Sequence, residues 1–126
     1  MPRKKTEERR LPGHAYSERI RARFWVMGRN DIFLGVGKVT LLELIDQLGS
    51  ISQAAKAMDM SYKRAWTLVE EMNALCDTPL VTKATGGAGG GHASLTDKGR
   101  AAIALYRRLE TELESFLRNQ SEQIDF

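Results

Sequence analysis

Fifteen residues, Ser52 to Trp66 (SQAAKAMDMSYKRAW), constrain this chain more than any other stretch. They read as two helices separated by a turn of three or four residues. Ser52 is a good N-cap for a short first helix running to about Met58. Ser61 is a good N-cap for the second, which buries Ala65, Leu68, Val69, Met72 and Leu75 at steps of three and four. Two helices joined this tightly cross steeply, and their contact point needs small side chains. Ala54 and Ala55 supply them, and Met58, Met60 and Leu68 fill the wedge. The turn needs a residue that accepts left-handed backbone geometry, and Asp59 is an acceptable second choice after glycine. The pattern predicts a helix-turn-helix.

Such a second helix has an outer face made of Tyr62, Lys63, Arg64, Trp66 and Thr67. A DNA major groove admits one helix and displays hydrogen-bond acceptors and thymine methyls. Lys63 and Arg64 can reach guanine edges or phosphates, and Tyr62 and Thr67 can bond a phosphate or touch a methyl. Ser61 and the free N–H groups at the helix start suit a phosphate. Gln53, early in the preceding helix, is a plausible backbone clamp. Trp66 reads as a structural anchor rather than a base reader. A lone lysine or arginine here would be ordinary solvated surface; the turn spacing beside it makes the face DNA-directed.

The flanking sequence fits the same design. Residues 1–19 form a basic arm: up to position 23 there are eight Lys/Arg against three Glu, on a chain whose net charge is only +3. Such an arm suits a polyanion, although charge alone equally describes a solubilising end. From Ile20 the residues alternate, with Ile20, Ala22, Phe24 and Val26 on one side, which predicts a half-buried strand. Gly28 to Asp31 is turn chemistry, and Ile32 to Leu34 a short second strand. Leu41, Leu42, Ile45 and Leu48 place an amphipathic helix at about 38–48, stopped by Gly49. After Pro79, the β-prone Leu80 to Thr82 and Ala93 to Leu95 enclose ATGGAGGG, in which five of eight residues are glycine. Behind a helix-turn-helix such a hairpin is a wing. Its glycines Gly86, Gly87, Gly89, Gly90 and Gly91 let main-chain N–H groups approach phosphates, with Lys83, Thr85 and His92 at its edges. Thr96 then caps a long helix to about Asn119. Ala102, Tyr106, Leu109, Leu113 and Phe116 repeat on it at heptad spacing, which reads as the seam of a dimerisation helix in a two-fold pair, with packing wholly inside the chain's own domain as the competing reading.

The expected fold is mainly α with a small β-hairpin: a winged helix-turn-helix with a long C-terminal dimerisation helix. Residues 1–19 are the arm, 20–96 the winged domain, and 97–126 the dimerisation helix and tail. Other chemistry finds little support. Gly35-Val36-Gly37-Lys38-Val39 lacks the spacing of a phosphate-binding loop, because Ile32 and Val39 stand where Gly and Ser/Thr are required. His14, His92 and Cys76 have no metal-ligand spacing, and two histidines so placed build no catalytic triad. No cofactor and no enzymatic activity are expected. There is no apolar run long enough for a membrane helix, and the lone Cys76 fits a cytoplasmic protein. The alternative from another class is a winged-helix module that binds proteins instead of an operator.

GSISQAAKAMDMSYKRAWTLVEEMN, followed by LVTKATGGAGGGHASLTDKG, resembles the N-terminal DNA-binding domain of ModE-type molybdate-responsive transcription regulators. A broader likeness is to the winged helix-turn-helix of LysR-type regulators. The ModE likeness spans about residues 20–110, and its most specific part is Ser61, Tyr62, Lys63, Ala65 and Trp66 joined to the glycine wing. It implies a homodimer on double-stranded operator DNA, with Gln53, Ser61, Tyr62, Lys63, Thr67 and Thr85 to Gly91 at the DNA. Asp59 departs from the glycine usual in that family. Full-length members also carry a C-terminal pair of small β-barrels that bind the oxyanion. The 126 residues here hold no counterpart, so molybdate is not expected to bind this chain.

Overall fold

The computed structural model describes residues 19–84 and 92–125. Eight elements follow one another: β1 (Val26–Met27), β2 (Ile32–Leu34), α1 (Val36–Leu48), α2 (Ile51–Ala57), α3 (Tyr62–Ala74), β3 (Val81–Ala84), β4 (His92–Leu95) and α4 (Asp97–Ser121). The β1–β2 and β3–β4 pairs are separate antiparallel two-stranded sheets. The architecture is the expected one, a winged helix-turn-helix with a long final helix.

Asp59 turns the chain between α2 and α3. It holds φ at 58°, the only positive value outside glycine among the described residues. The Met60 N–H returns to the Ala55 carbonyl at 3.0 Å across this corner. Ala54, Ala55 and Ala65 are essentially inaccessible to solvent, and Leu68, Val69 and Met72 complete the buried stripe of α3. Each of the three larger side chains contributes about 1.5–3 kcal/mol of transfer free energy.

Several sequence expectations need correction. Ser50, not Ser52, caps α2: its hydroxyl accepts from the Gln53 N–H at 3.1 Å. The earlier start lets Ile51 enter the core, where it is 5% exposed. Helix α1 begins at Val36 rather than at 38, because Gly35 takes an extended N-cap conformation and its carbonyl accepts from Val39. The alternating run from Ile20 shows the expected half-buried face, but regular pairing is confined to Val26–Met27, where the register slips. Leu75 ends α3 as its C-cap and is only half-buried, covering Gly28 in the β1–β2 turn.

Several contacts fix helix α4 to the body. Thr96 caps it, accepting from Gly99 N–H while its own hydroxyl donates to the Pro79 carbonyl at 2.8 Å. The Tyr106 ring stacks on Phe24 at 4.5 Å, and its hydroxyl donates to the Phe24 carbonyl. Arg107 grips both carboxylate oxygens of Glu43 at 2.8 and 2.9 Å and donates to Glu110 at 2.8 Å. Glu43 above all, with Glu110, raises the Arg107 pKa above its ordinary value against the cost of burial, so the guanidinium keeps its charge. The far oxygen of Glu110 is buried without a donor. Ala102 and Tyr106 are 8% and 1% exposed, so the first half of the heptad seam serves the chain's own core. Leu109 and Leu113 are half-buried and Phe116 is 58% exposed, so only the distal half remains open.

Gly99 sits where α4 crosses the start of the wing. A Cβ there would lie 2.4 Å from the Leu80 carbonyl oxygen, and neither backbone can yield cheaply. Gly99→Ala is expected to lower stability by roughly 1–3 kcal/mol, measured by urea unfolding.

Candidate nucleic-acid interface

Successive residues of an α-helix are turned by about 100°. The buried stripe of α3 therefore leaves Lys63 and Thr67 pointing away from the core, with Glu70 and Ala74 continuing the line. One edge of that face carries Trp66 and Asn73, the other Arg64 and Glu71. The structure uses these edges differently, and the helix stands between two flanking structures.

The wing occupies the Trp66 edge. Asn73 fixes its root: the side-chain oxygen accepts from Leu80 N–H at 2.8 Å and Val81 N–H at 3.3 Å, and the amide nitrogen donates to the Val81 carbonyl at 3.0 Å. On the far strand, Ala93 N–H donates to the Gly49 carbonyl at 3.1 Å. Thr82 faces Ser94 in register, with their hydroxyls 3.2 Å apart. Lys83 lies 4.3 Å from the centre of the Trp66 ring and pairs with Glu70. That pairing was not read from the sequence. Its signal was the spacing of Trp66 and Glu70, four apart and so adjacent on one edge of α3.

The expected site residues fall as follows. Ser61 is exposed and its hydroxyl caps α3, accepting from Arg64 N–H at 3.0 Å. Tyr62, Lys63 and Arg64 are exposed, and Thr67 is half-buried on the outward line. Gln53 is exposed in the first turn of α2. Lys83 is half-buried and already engaged with Trp66 and Glu70, and His92 is exposed opposite Ala84. Thr85, Gly86, Gly87, Gly89, Gly90 and Gly91 lie outside the described residues. Trp66 is 40% exposed, with the Lys83 ammonium of the wing over its ring.

The Arg64 edge borders a cleft of about 470 Å³ between α3, the start of α1 and the segment before β1. Trp25, Gly35, Lys38, Met60 and Glu71 line it, together with Arg23 and Arg64. Among the described residues no three His, Cys, Asp or Glu side chains gather to hold a metal ion. No helix there is long and apolar enough to cross a membrane.

Comparison with known proteins agrees with the helix-turn-helix fold. Residues 37–100 match the model of the bacterial regulatory helix-turn-helix protein, lysR family, and the chain belongs to that family. It is 46% identical over 88 residues to the molybdenum transport protein ModE of Azotobacter vinelandii, covering 70% of this chain and 33% of that protein. It is 43% identical over 96 residues to the molybdenum-pterin-binding protein MopB of Rhodobacter capsulatus, covering 76% and 36%. It is 48% identical over 75 residues to the DNA-binding transcriptional dual regulator ModE of Escherichia coli strain K12, covering 60% and 29%. The chain thus spans about a third of the length of these relatives.

Because Asn73 satisfies three main-chain groups at the wing root, Asn73→Ala leaves two donors and an acceptor without that partner. A loss of about 1–3 kcal/mol is expected. Hydrogen exchange checks it, with the Leu80 and Val81 amides losing protection ahead of the α1 core.

Proposed function

From that family membership and the exposed face of α3, we propose that the chain is a DNA-binding transcription regulator linked to molybdenum, without enzymatic activity and acting in the cytoplasm. The observation that carries this is the outward line of Lys63 and Thr67, flanked by Tyr62 and Arg64, on a helix whose opposite face is sealed by Ala65, Leu68, Val69 and Met72. An α-helix with its side chains is about 10–12 Å across, and the major groove is about 12 Å wide. Lys63 and Thr67 would meet base edges, while Ser61, Tyr62 and Gln53 would position the helix on phosphates. The link to molybdenum rests on likeness to about a third of each relative's length.

The wing would follow the backbone beside the inserted helix, with Thr85 to Gly91 at its tip and His92 at its edge. Lys83 has a prior partner. Its pairing with Glu70 offsets a negative charge on the outward face and ties the wing to α3. A phosphate reaching Lys83 must compete with Glu70. The two-fold partner would be a second copy of this chain, meeting along Leu109, Leu113 and Phe116. Ala102 and Tyr106 support that helix from below through their own packing. A two-fold pair would offer two α3 helices to successive half-sites of one duplex.

Lys63→Ala is expected to weaken binding to a preferred duplex by about 1–2 kcal/mol, as for a single base contact. Affinity selection from genomic fragments followed by gel shift measures it. Unchanged affinity would remove Lys63 from the interface. Glu70→Gln is expected to act in the opposite direction. It releases Lys83 and removes a negative charge from the outward face, so affinity rises severalfold and the salt dependence steepens by up to about one phosphate contact. Phe116→Asp is expected to raise the dimer dissociation constant at least tenfold with helicity retained, read by sedimentation equilibrium and circular dichroism.

A further inference from the structure

The edge of α3 opposite the wing carries its own basic surface. Arg23 and Arg64 are both exposed and both line the cleft beside α3, but they come from distant parts of the chain. Arg23 is not a loose surface arginine. Its guanidinium carbon lies 4.7 Å from the centre of the Trp25 ring. Trp25 in turn lies against Gly35, where a Cβ would stand 3.2 Å from the ring edge. The glycine thus seats the indole, and the indole supports the arginine.

The other charges of the cleft have partners. Lys38 donates to the Ile32 carbonyl at 3.0 Å and pairs with Glu71 at 3.5 Å. Asp31 accepts from the Ile32 N–H at 2.7 Å. Among the described residues neither Arg23 nor Arg64 meets a carboxylate. Two guanidinium groups without a carboxylate partner among the described residues therefore stand along one edge of a helix whose other edge already carries the wing.

We propose that Arg23 and Arg64 form a second phosphate clamp, gripping the DNA backbone on the side away from the wing. The proposal rests on the DNA reading above. Its physical basis is the shape of the groove. A helix lying in the major groove has one phosphate backbone on each side. With the wing beyond Trp66 on one side, the segment 23–25 lies on the other. Arginine suits the task, because its planar fork meets phosphate oxygens in pairs and stays charged. Such contacts fix register and add salt-dependent affinity but do not choose sequence.

The test is the salt dependence of duplex binding by the full chain, followed by fluorescence anisotropy on a preferred and a scrambled duplex. Arg23→Gln and Arg64→Gln should each weaken both duplexes by a similar factor, roughly three- to tenfold, and lower the salt slope by about one. Arg23→Lys should retain the slope. Arg108→Gln removes an exposed charge from α4, away from the cleft, and should leave the slope at its original value. If Arg23→Gln behaves like Arg108→Gln while the unaltered chain binds, the clamp is wrong and the DNA reading stands. A loss at Arg64 confined to the preferred duplex would make it a base reader and also overturn the clamp. Failure of the unaltered chain to bind any duplex at low salt would overturn both. Unchanged thermal unfolding of the variants separates lost contact from lost fold.

Discussion

The close approach of α2 and α3 governs the rest of the molecule. Ala54, Ala55 and Ala65 bring the two backbones together, and a single left-handed residue, Asp59, turns the chain between them. A larger side chain at any of these alanines would push α3 away from the body. Once α3 is seated, its buried stripe determines which residues face outward. Lys63 and Thr67 point to solvent because Ala65, Leu68, Val69 and Met72 cannot.

Seating α3 also places its two edges. Asn73 builds the wing onto one edge with three hydrogen bonds to Leu80 and Val81, and Lys83 closes the contact through Trp66 and Glu70. Thr96 then joins the base of the wing to the start of α4. Helix α3, the wing and α4 are thereby connected through a short run of polar contacts. A dimer formed along α4 would fix the spacing of two α3 helices through this same path.

Much of this was legible in the sequence, for stated physical reasons. The small residues at the corner, the Ser61 and Thr96 caps and the apolar stripe of α3 are local signals that the fold does not override. The cap of α2 was misplaced because Ser50 and Ser52 are chemically equivalent. Only burial of Ile51 chooses between them. The heptad seam was legible as a pattern but not in its division. Burial of Tyr106 depends on Phe24, which lies 82 residues away, and spacing along one helix does not reveal it. Glu43, Arg107 and Glu110 form a clamp across α1 and α4 that likewise has no local signature. The Arg23 and Arg64 surface was invisible for the same reason, since its two halves meet only in the folded chain.

The proposed function requires that the outward face of α3 meet duplex DNA. Amide chemical-shift mapping of the isotope-labelled chain during titration with a DNA duplex tests it most directly. The largest changes are expected on residues 61–67 and on His92, with the α1 core unmoved. Changes centred on the exposed distal face of α4, with α3 silent, would contradict it.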